Sequence, residues 1–489
     1  MTFLLDSGYR ILNGQLPYVD FFEVNLLPIF YLSTVPVWVS QWSGLGVIVV
    51  THLMVFALTL ASAAITDNLL VHAHQHRALL LINRSYVPIL YGLLTGIAFM
   101  FGYGQREHLL MLAFMPWMFL RCLRLQNHPY PHSHALLLGV ASAVAFTLKP
   151  HYALMVIFVE LMLVARARHW RLYLQPEIAG VFGVALVYAV YVLAFPQVIE
   201  AYLTRVIPIA VMGYDVLGNL TVFDLTWGDP GMRILILLAL AGFAVGMRRG
   251  ANATLMQAST LAVIGAVIGF AVQGKGWSYH QIPATWAGTW LVAMLIRWIT
   301  LRPAIQNLLR RLKHLHVIML GIGVFGVFTI LFVSTLLWAQ SPYLQSDRDV
   351  ILSIQTRVLE TDGVMILDPY LTHVYPTLVQ AGHWQALQRY QTTAGIEMAY
   401  YGALPTDVYM DSHVPPPVAE DVVGAIISSL SAPTMRLVLI RDGISPFGNY
   451  QVDTYRYLMA RPAIRTILDQ EYVYLETIDE FRIYERKRD

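Results

Sequence analysis

Ten apolar runs alternate with short polar stretches along the first two-thirds of the chain, at residues 44–65, 87–102, 108–123, 135–148, 152–166, 178–195, 233–247, 255–273, 283–299 and 316–339. A helix that is apolar on every side is surrounded by hydrocarbon or by other helices, and a membrane span takes about 20 such residues. Several of these runs are shorter, which fits tilted or half-buried helices around a cavity. Residues 26–42 (LLPIFYLSTVPVWVSQW) are apolar but carry Pro28 and Pro36, and read as juxtamembrane helices at the interface. After about residue 341 the pattern changes. Short β-rich runs (Val364–Asp368, Leu437–Arg441, Phe481–Glu485) alternate with helix-like stretches (Asp421–Leu430, Val452–Leu468), and Pro415, Pro416 and Pro417 mark a loop. The pattern predicts a polytopic α-helical membrane protein with about 10 transmembrane helices plus juxtamembrane helices, and a C-terminal α/β domain outside the membrane. The expected divisions are 1–43, 44–340 and 341–489. No internal repeat is visible.

Composition supports the membrane class. Hydrophobic residues make up 57% and charged residues 13% of 489 positions, where a soluble chain carries about 25% charged. The net charge of +2 gives no reason to expect nucleic acid. The single cysteine, Cys122, excludes an internal disulfide. The first apolar run is three residues long and acids follow at once, so no signal peptide is read.

Basic residues orient the spans. With residue 1 outside the cytoplasm, the inside loops hold 14 Lys/Arg (77, 84, 121, 124, 166, 168, 171, 248, 249, 297, 302, 310, 311 and 313). The outside loops hold 6, namely Arg10, Arg106, Lys149, Arg205, Arg233 and Lys275. This is the direction the positive-inside rule demands. Most acids before residue 341 fall on the opposite, outer side.

Polar groups gather at the outer ends of the spans. The opening segment, residues 6–25, brings Asp6, Asp20 and Glu23 together with Arg10, Gly14 and Pro17 just ahead of the apolar chain. Gly102-Tyr-Gly-Gln-Arg-Glu-His108 interrupts two spans with Arg106, Glu107 and His108. Lys149-Pro-His151 interrupts two more, and Gln273-Gly-Lys-Gly-Trp-Ser-Tyr-His280 brings Lys275, Tyr279 and His280. Ionisable groups at membrane depth are costly and usually face a cavity or one another. Each group also has a plainer reading: an interfacial ion pair for Arg106 and Glu107, a helix end at Lys149, a turn at Lys275, and an N-cap at Asp20. Two of the chain's four lysines lie in these groups, which favours the shared site. His72, His74 and His76 would converge only on a strand, so a metal there is not expected. Glu160, inside a span, is either buried against a partner or lining a cavity.

The pattern Asp-x-Gly-Tyr-Arg-Ile-Leu-Asn-Gly-x-x-Pro-Tyr-x-Asp-Phe-x-Glu-x-Asn-x-x-Pro over residues 6–28 resembles the first extracytoplasmic loop of GT-C glycosyltransferases. The likeness is to bacterial members related to lipopolysaccharide-core galacturonosyltransferases, aminoarabinose transferases and protein mannosyltransferases. The Gly-Gln-Arg-Glu-His, Lys-Pro-His and Lys-Gly-Trp-Ser-Tyr-His runs are similar to features of these enzymes, and the resemblance covers roughly residues 1–340. It implies a bacterial inner-membrane enzyme with its C-terminal domain extracytoplasmic, drawing a polyprenyl-phosphate-linked sugar from the membrane. The acceptor would be a lipid, glycan or protein. Asp6 matches the family's catalytic acid by position. A helix ahead of the loop is also implied, and Leu27-Pro28 stands where the family has Pro-Pro.

The chemistry is consistent with the residues themselves. A sugar on a lipid phosphate already has a good leaving group. It needs a base for the acceptor hydroxyl and fixed charge for the departing phosphate. Asp6, Asp20 and Glu23 are the candidate bases, with inversion as the economical outcome. Arg106, Lys149, His151, Lys275 and His280 are the candidate phosphate ligands, and Glu107, His108 and Tyr279 line the pocket. No metal-ligand spacing compels a divalent cation (Mg or Mn), although Asp20 and Glu23 leave that open. The other function classes are a transporter or flippase of lipid-linked saccharide, disfavoured by the absence of repeats, and a non-catalytic membrane scaffold.

Overall fold

A computed structural model describes residues 2–75, 86–167, 170–216, 220–247, 251–300, 348–390, 417–447 and 450–488. The expected span at 316–339, Pro415, Pro416 and His76 lie outside the described residues, as do Arg77, Arg84, Arg168, Arg248, Arg249, Arg302, Arg310, Arg311 and Lys313.

The chain divides into two compact units. One comprises Met1–Thr51, Tyr191–Asn219 and Gln340–Asp489, and the other His52–Val190 and Leu220–Ala339. The first begins with helix α1 (Thr2–Leu12), strand β1 (Phe21–Phe22) and helix α2 (Leu27–Ser43). Helix α2 is one continuous element rather than several short ones. Pro28 sits in its first turn, where a missing N–H costs nothing. It runs through Pro36 and stops at Gly44, whose φ of 70° closes the end in the left-handed conformation. Helices α1 and α2 approach closely: a Cβ on Gly8 would lie 2.4 Å from the Ser33 carbonyl oxygen.

The C-terminal part of this unit is the α/β element that the alternating pattern anticipates. Helix α14 (Arg348–Arg357) precedes β2 (Gly363–Leu367), α15 (Leu371–Ala381) and β3 (Arg389–Tyr390). Helix α16 (Pro417–Leu430), β4 (Met435–Arg441), β5 (Ile444–Phe447) and β6 (Tyr450–Asp453) follow, then α17 (Thr454–Met459), α18 (Pro462–Glu471), β7 (Tyr472–Ile478) and β8 (Phe481–Arg486). The stretch expected as one helix at 452–468 is two, broken before Pro462, because the residue ahead of a proline disfavours the helical conformation. The main sheet has the order β2-β4-β8-β7, with β2 and β4 parallel and β8 antiparallel to both β4 and β7. Val364, Ile366, Leu437, Leu439, Phe481 and Ile483 bury one face of it against Val350, Ile354, Val374 and Leu378. A separate two-residue parallel pairing joins β1 to β3, so the opening segment is built into the same unit as the C-terminal sheet.

The second unit is helical. Its elements are α3 (Val47–Gln75, starting in the first unit), α4 (Val87–Phe101), α5 (Arg106–Leu125), α6 (His132–Leu148), α7 (Ala153–Ala167), α8 (Pro176–Ala194), α11 (Pro230–Gly246), α12 (Ala251–Val272) and α13 (Ile282–Thr300). Between α8 and α11, in the first unit, come α9 (Pro196–Ala201), a π-turn (Tyr202–Val206) and α10 (Ile207–Val216). Among the described residues, six helices are long and apolar enough to cross a membrane: Val47–Ala73, Arg106–Leu125, Pro150–Ala167, Pro176–Ala194, Ala253–Val272 and Ser278–Ile299. Val87–Ala98, His132–Leu148 and Pro230–Gly246 are shorter apolar helices. Helix α3 extends ten residues past the expected end at 65, so His72 lies on a helix and packs edge-on to Tyr130 at 5.5 Å. Helices α5, α12 and α13 share the core, with Trp117 and Phe119 of α5, Met256 of α12 and Trp286 and Trp290 of α13 buried. Helix α8 is largely exposed, with Phe182, Leu186, Val187 and Leu193 outward, as hydrocarbon contact requires.

Candidate functional site

Within the first unit, the three acids have three different environments. Asp6 lies on α1 and is wholly buried. Its Oδ2 accepts from Arg10 Nε at 2.7 Å, the (i, i+4) spacing that pairs side chains on one helix face. Arg10 is fixed in turn, because its second terminal nitrogen donates to the carbonyls of Gln385 and Leu387 at 2.8 and 3.0 Å. Glu23 is also buried, and its Oε1 accepts from Val24 N, Asn25 N and Asn25 Nδ2 at 2.8, 3.2 and 2.6 Å. Asp20 alone of the three is exposed. It caps no helix, since α2 begins only at Leu27. Instead its Oδ2 accepts from Leu16 N at 2.6 Å and closes the turn ahead of β1. The turn is strained. Tyr18 has a φ of 67°, unusual for a bulky residue and costing on the order of 1–3 kcal/mol. Burial of its ring against Phe30 and Tyr202 and a 2.5 Å bond from its hydroxyl to the Asn25 carbonyl hold it there. Arg205, on the π-turn, donates to the Tyr18 carbonyl at 3.3 Å.

Within the second unit, three of the polar interruptions converge. Glu107, in the first turn of α5, is fully buried. Lys149 Nζ lies 3.0 Å from its Oε1, and His280 Nε2 lies 3.6 Å from the same oxygen. Lys149 also donates to Gln273 Oε1 at 3.2 Å and sits 3.2 Å from His280 Nε2. Gln273 Nε2 donates to the Tyr152 hydroxyl at 3.0 Å, and that hydroxyl donates to the His280 carbonyl at 2.5 Å. Residues 107, 149, 152, 273 and 280 thus form one connected polar network, held where four different helix ends meet. The Lys149 ammonium is 6.0 Å from the centre of the Tyr279 ring.

Arg106 stands apart from this pairing. It is half-buried, its Nε is shielded from solvent, and it makes no hydrogen bond or ion pair among the described residues. Its charge nevertheless acts on Lys149. Arg106 and Lys149 against Glu107 leave one net positive charge among these three residues. Burial pulls the Lys149 ammonium down from its ordinary value to about 8, helped by Arg106 and opposed by Glu107. His151 is half-buried beside these groups. His108 is buried between Tyr103 and Trp286. Its Nδ1 accepts from Gly104 N at 3.1 Å, and its Nε2 has no partner among the described residues. Lys275 is buried between Gly274 and Gly276, whose φ of 68° and 66° turns the chain twice in three residues.

Two charged clusters lie elsewhere. In the second unit Arg121, fully buried, binds both oxygens of Glu160 at 2.7 and 3.0 Å and Glu177 Oε1 at 3.0 Å. Arg124 adds bonds to Glu177 at 3.3 and 3.4 Å. In the first unit Asp368, at the end of β2, pairs with Arg441 at 2.9 Å and His373 at 3.1 Å. No group of three His, Cys, Asp or Glu side chains suited to a metal occurs among the described residues. Spacing alone did not reveal Tyr152 and Gln273 as part of the network, since Gln273 is 124 positions from Lys149. The three acids thus belong to the first unit, and the eight candidate phosphate and pocket residues to the second. Comparison with protein-family models and with curated proteins finds no match to the chain.

Proposed function

We propose that the chain is a membrane glycosyltransferase of the GT-C kind, moving a sugar from a polyprenyl-phosphate donor to an acceptor hydroxyl on the outer side of a bacterial inner membrane. The observation that carries this reading is the net positive cluster at the N-terminal end of α5, in which Arg106 has no partner among the described residues. The Arg106 Nε is shielded from solvent and has no hydrogen-bond partner among the described residues, and an anionic ligand supplies one. The first-turn amides of a helix add a further preference for an anion. In a unit whose outer surface is hydrocarbon-like, the anion best suited to the site is a phosphate carried on a lipid.

In the proposed reaction the acceptor oxygen attacks the anomeric carbon while the bond from that carbon to the phosphate oxygen breaks. The configuration inverts, a base takes the acceptor proton, and polyprenyl phosphate leaves with one more negative charge. Arg106 stabilises that charge by bidentate pairing and Lys149 as a point charge. Glu107 and Gln273 keep the Lys149 ammonium in place. The candidate bases Asp6, Asp20 and Glu23 belong to the first unit, and Asp20 is the one of them that is exposed to solvent. Asp6 and Glu23 are engaged by Arg10 and by the 23–25 turn, and act by holding that segment in shape.

The test is release of polyprenyl phosphate from a panel of polyprenyl-phosphate hexoses and pentoses by the protein in nanodiscs. Asp20→Asn is expected to lower kcat by roughly 10²–10⁴-fold while leaving donor binding unchanged. Full activity in Asp20→Asn with loss in Asp6→Asn would move the base to Asp6. Full activity in Asp6→Asn, Asp20→Asn and Glu23→Gln alike would sink the transferase reading.

A further inference from the structure

Glu107 lies in the first turn of α5 and is wholly buried. A carboxylate at that position commonly serves its own helix by accepting from the free amides. Glu107 does not: neither of its oxygens accepts a hydrogen bond among the described residues. Oε1 is in ion-pair contact with Lys149 Nζ at 3.0 Å, and Oε2 meets no donor among the described residues. The enclosed carboxylates at the other end of α5 are saturated by comparison. Glu160 accepts from Arg121 through both oxygens, and Glu177 accepts from Arg121 and Arg124 through both of its own. A buried acceptor without a donor is costly, so Glu107 Oε2 is an opening for a hydrogen.

His280 has the opposite deficit. Its Nε2 lies 3.2 Å from Lys149 Nζ. An ammonium only donates, so Nε2 is the acceptor in that contact and the ring proton sits on Nδ1. That Nδ1 is buried and meets no acceptor among the described residues. The surroundings are fixed. The Tyr152 hydroxyl holds the His280 carbonyl at 2.5 Å, and a Cβ on Gly102, just ahead of α5, would lie 2.8 Å from the Tyr279 Cβ. Around one ammonium, therefore, stand an acceptor without a donor and a donor without an acceptor. A hydroxyl both donates and accepts, whereas the oxygens of an ionised phosphate only accept. All of these residues belong to the second unit.

We infer that Glu107 accepts a hydrogen bond from a hydroxyl of the sugar carried on the phosphate, and so distinguishes a glycosyl phosphate from a phosphodiester without hydroxyls. The inference rests on the phosphate reading above and adds the residue that reads the sugar. Arg106 and Lys149 take the phosphate, Glu107 Oε2 accepts from the hydroxyl, and His280 Nδ1 donates to a sugar oxygen. A carboxylate repels an anion beside it, so Glu107 opposes phosphate alone and favours a phosphate that brings a hydroxyl with it. Glu107 is not the base. In an inverting transfer the acceptor approaches from the face opposite the leaving phosphate, and Glu107 stands with the phosphate's own cations.

The test measures binding of farnesyl phosphodiesters of equal charge to the detergent-solubilised full chain. The probes are farnesyl phosphoryl glucose, mannose, galactose and arabinose, set against methyl farnesyl phosphate, which has no hydroxyl. Wild type is expected to bind at least one glycosyl probe about tenfold more tightly than the methyl ester. Glu107→Gln is expected to lose most of that ratio, because a neutral amide oxygen is the weaker acceptor. If Glu107 served only to hold Lys149, the variant would change all the probes by the same factor and keep the ratio, and that result would overturn the inference. A methyl ester bound by wild type as tightly as every glycosyl probe would overturn it too. Should Glu107→Gln fail to fold, Glu107→Asp keeps the charge and withdraws the oxygens by one methylene. It is expected to lose part of the ratio, and an unchanged ratio there counts equally against the inference. A separate arm tests the foundation. Arg106→Gln is expected to weaken every probe, the methyl ester included. If it weakens none, the phosphate reading fails, whatever the Glu107 variants do.

Discussion

At its C-terminal end α5 holds Arg121 and Arg124 against Glu160 and Glu177. At its N-terminal end it holds Arg106 and Glu107 beside Lys149 and His280. The first cluster is closed. Two cations meet two carboxylates, and the Arg121 guanidinium is bonded on three sides, with its remaining reach taken up by the Leu172 carbonyl at 3.1 Å. The second is open. Two cations meet one carboxylate, and among the described residues Arg106 has no partner and buried nitrogens on His108 and His280 have none. The same helix, in the same apolar surroundings, thus carries one cluster that completes itself and one that needs something added. A structural ion-pair network and a binding site are distinguished here by whether charge and hydrogen bonds balance, rather than by how many charges are present.

The comparison can be broken at the closed end first. Removing one partner of a buried pair leaves an uncompensated charge, which costs about 3–5 kcal/mol. Glu177→Gln strands Arg121 and Arg124 together, so a large drop in thermal or denaturant stability is expected. A stability equal to wild type would mean that the network is dispensable.

At the open end the expected change in stability is smaller and of opposite sign. Arg106→Gln removes a charge that has no partner among the described residues. It is expected to leave the unliganded protein at least as stable as wild type, with a gain of up to about 1 kcal/mol. Destabilisation on the scale of Glu177→Gln would mean that Arg106 belongs to the scaffold. This contrast between the two variants is measurable with no knowledge of the sugar or the acceptor.

The smallest effect is a pH dependence. Burial lowers the Lys149 ammonium from its ordinary value to about 8, so its charge is present below that pH and is lost as pH rises through it. Phosphate affinity is therefore expected to fall by several-fold as pH rises through about 8. Arginine does not titrate in this range, so Lys149→Arg is expected to flatten that limb. A fall of the same size in Lys149→Arg would assign the titration to another group.

Much of the helical unit was legible from apolar runs, because a membrane-facing or centrally packed helix needs nothing but hydrocarbon along its length. What was not legible depended on partners far away in the chain. Glu160 carries two readings in sequence, and Arg121, 39 positions away, shows that it is half-buried against a partner. The end of α3 was misplaced because Asp67 interrupts the apolar run, whereas Leu69, Leu70 and Ala73 remain buried and keep the helix going. Asp20 resembled an N-cap because polar residues before an apolar run commonly are one. Its actual bond closes a turn that β1 and β3 fix in place, a pairing that spans most of the chain. The Asp6–Arg10 pair, by contrast, follows from its helical spacing alone.

The central claim is that the N-terminal end of α5 binds a lipid-borne phosphate, and the most direct measurement compares binding of farnesyl phosphate with binding of farnesol, which has the same tail and no charge. In wild type the phosphate is expected to bind at least tenfold more tightly than the alcohol. Arg106→Gln is expected to erase most of that difference, while Arg171→Gln, a distant surface charge, is expected to keep it. Equal binding of phosphate and alcohol in wild type, or a difference that survives in Arg106→Gln, would contradict the account.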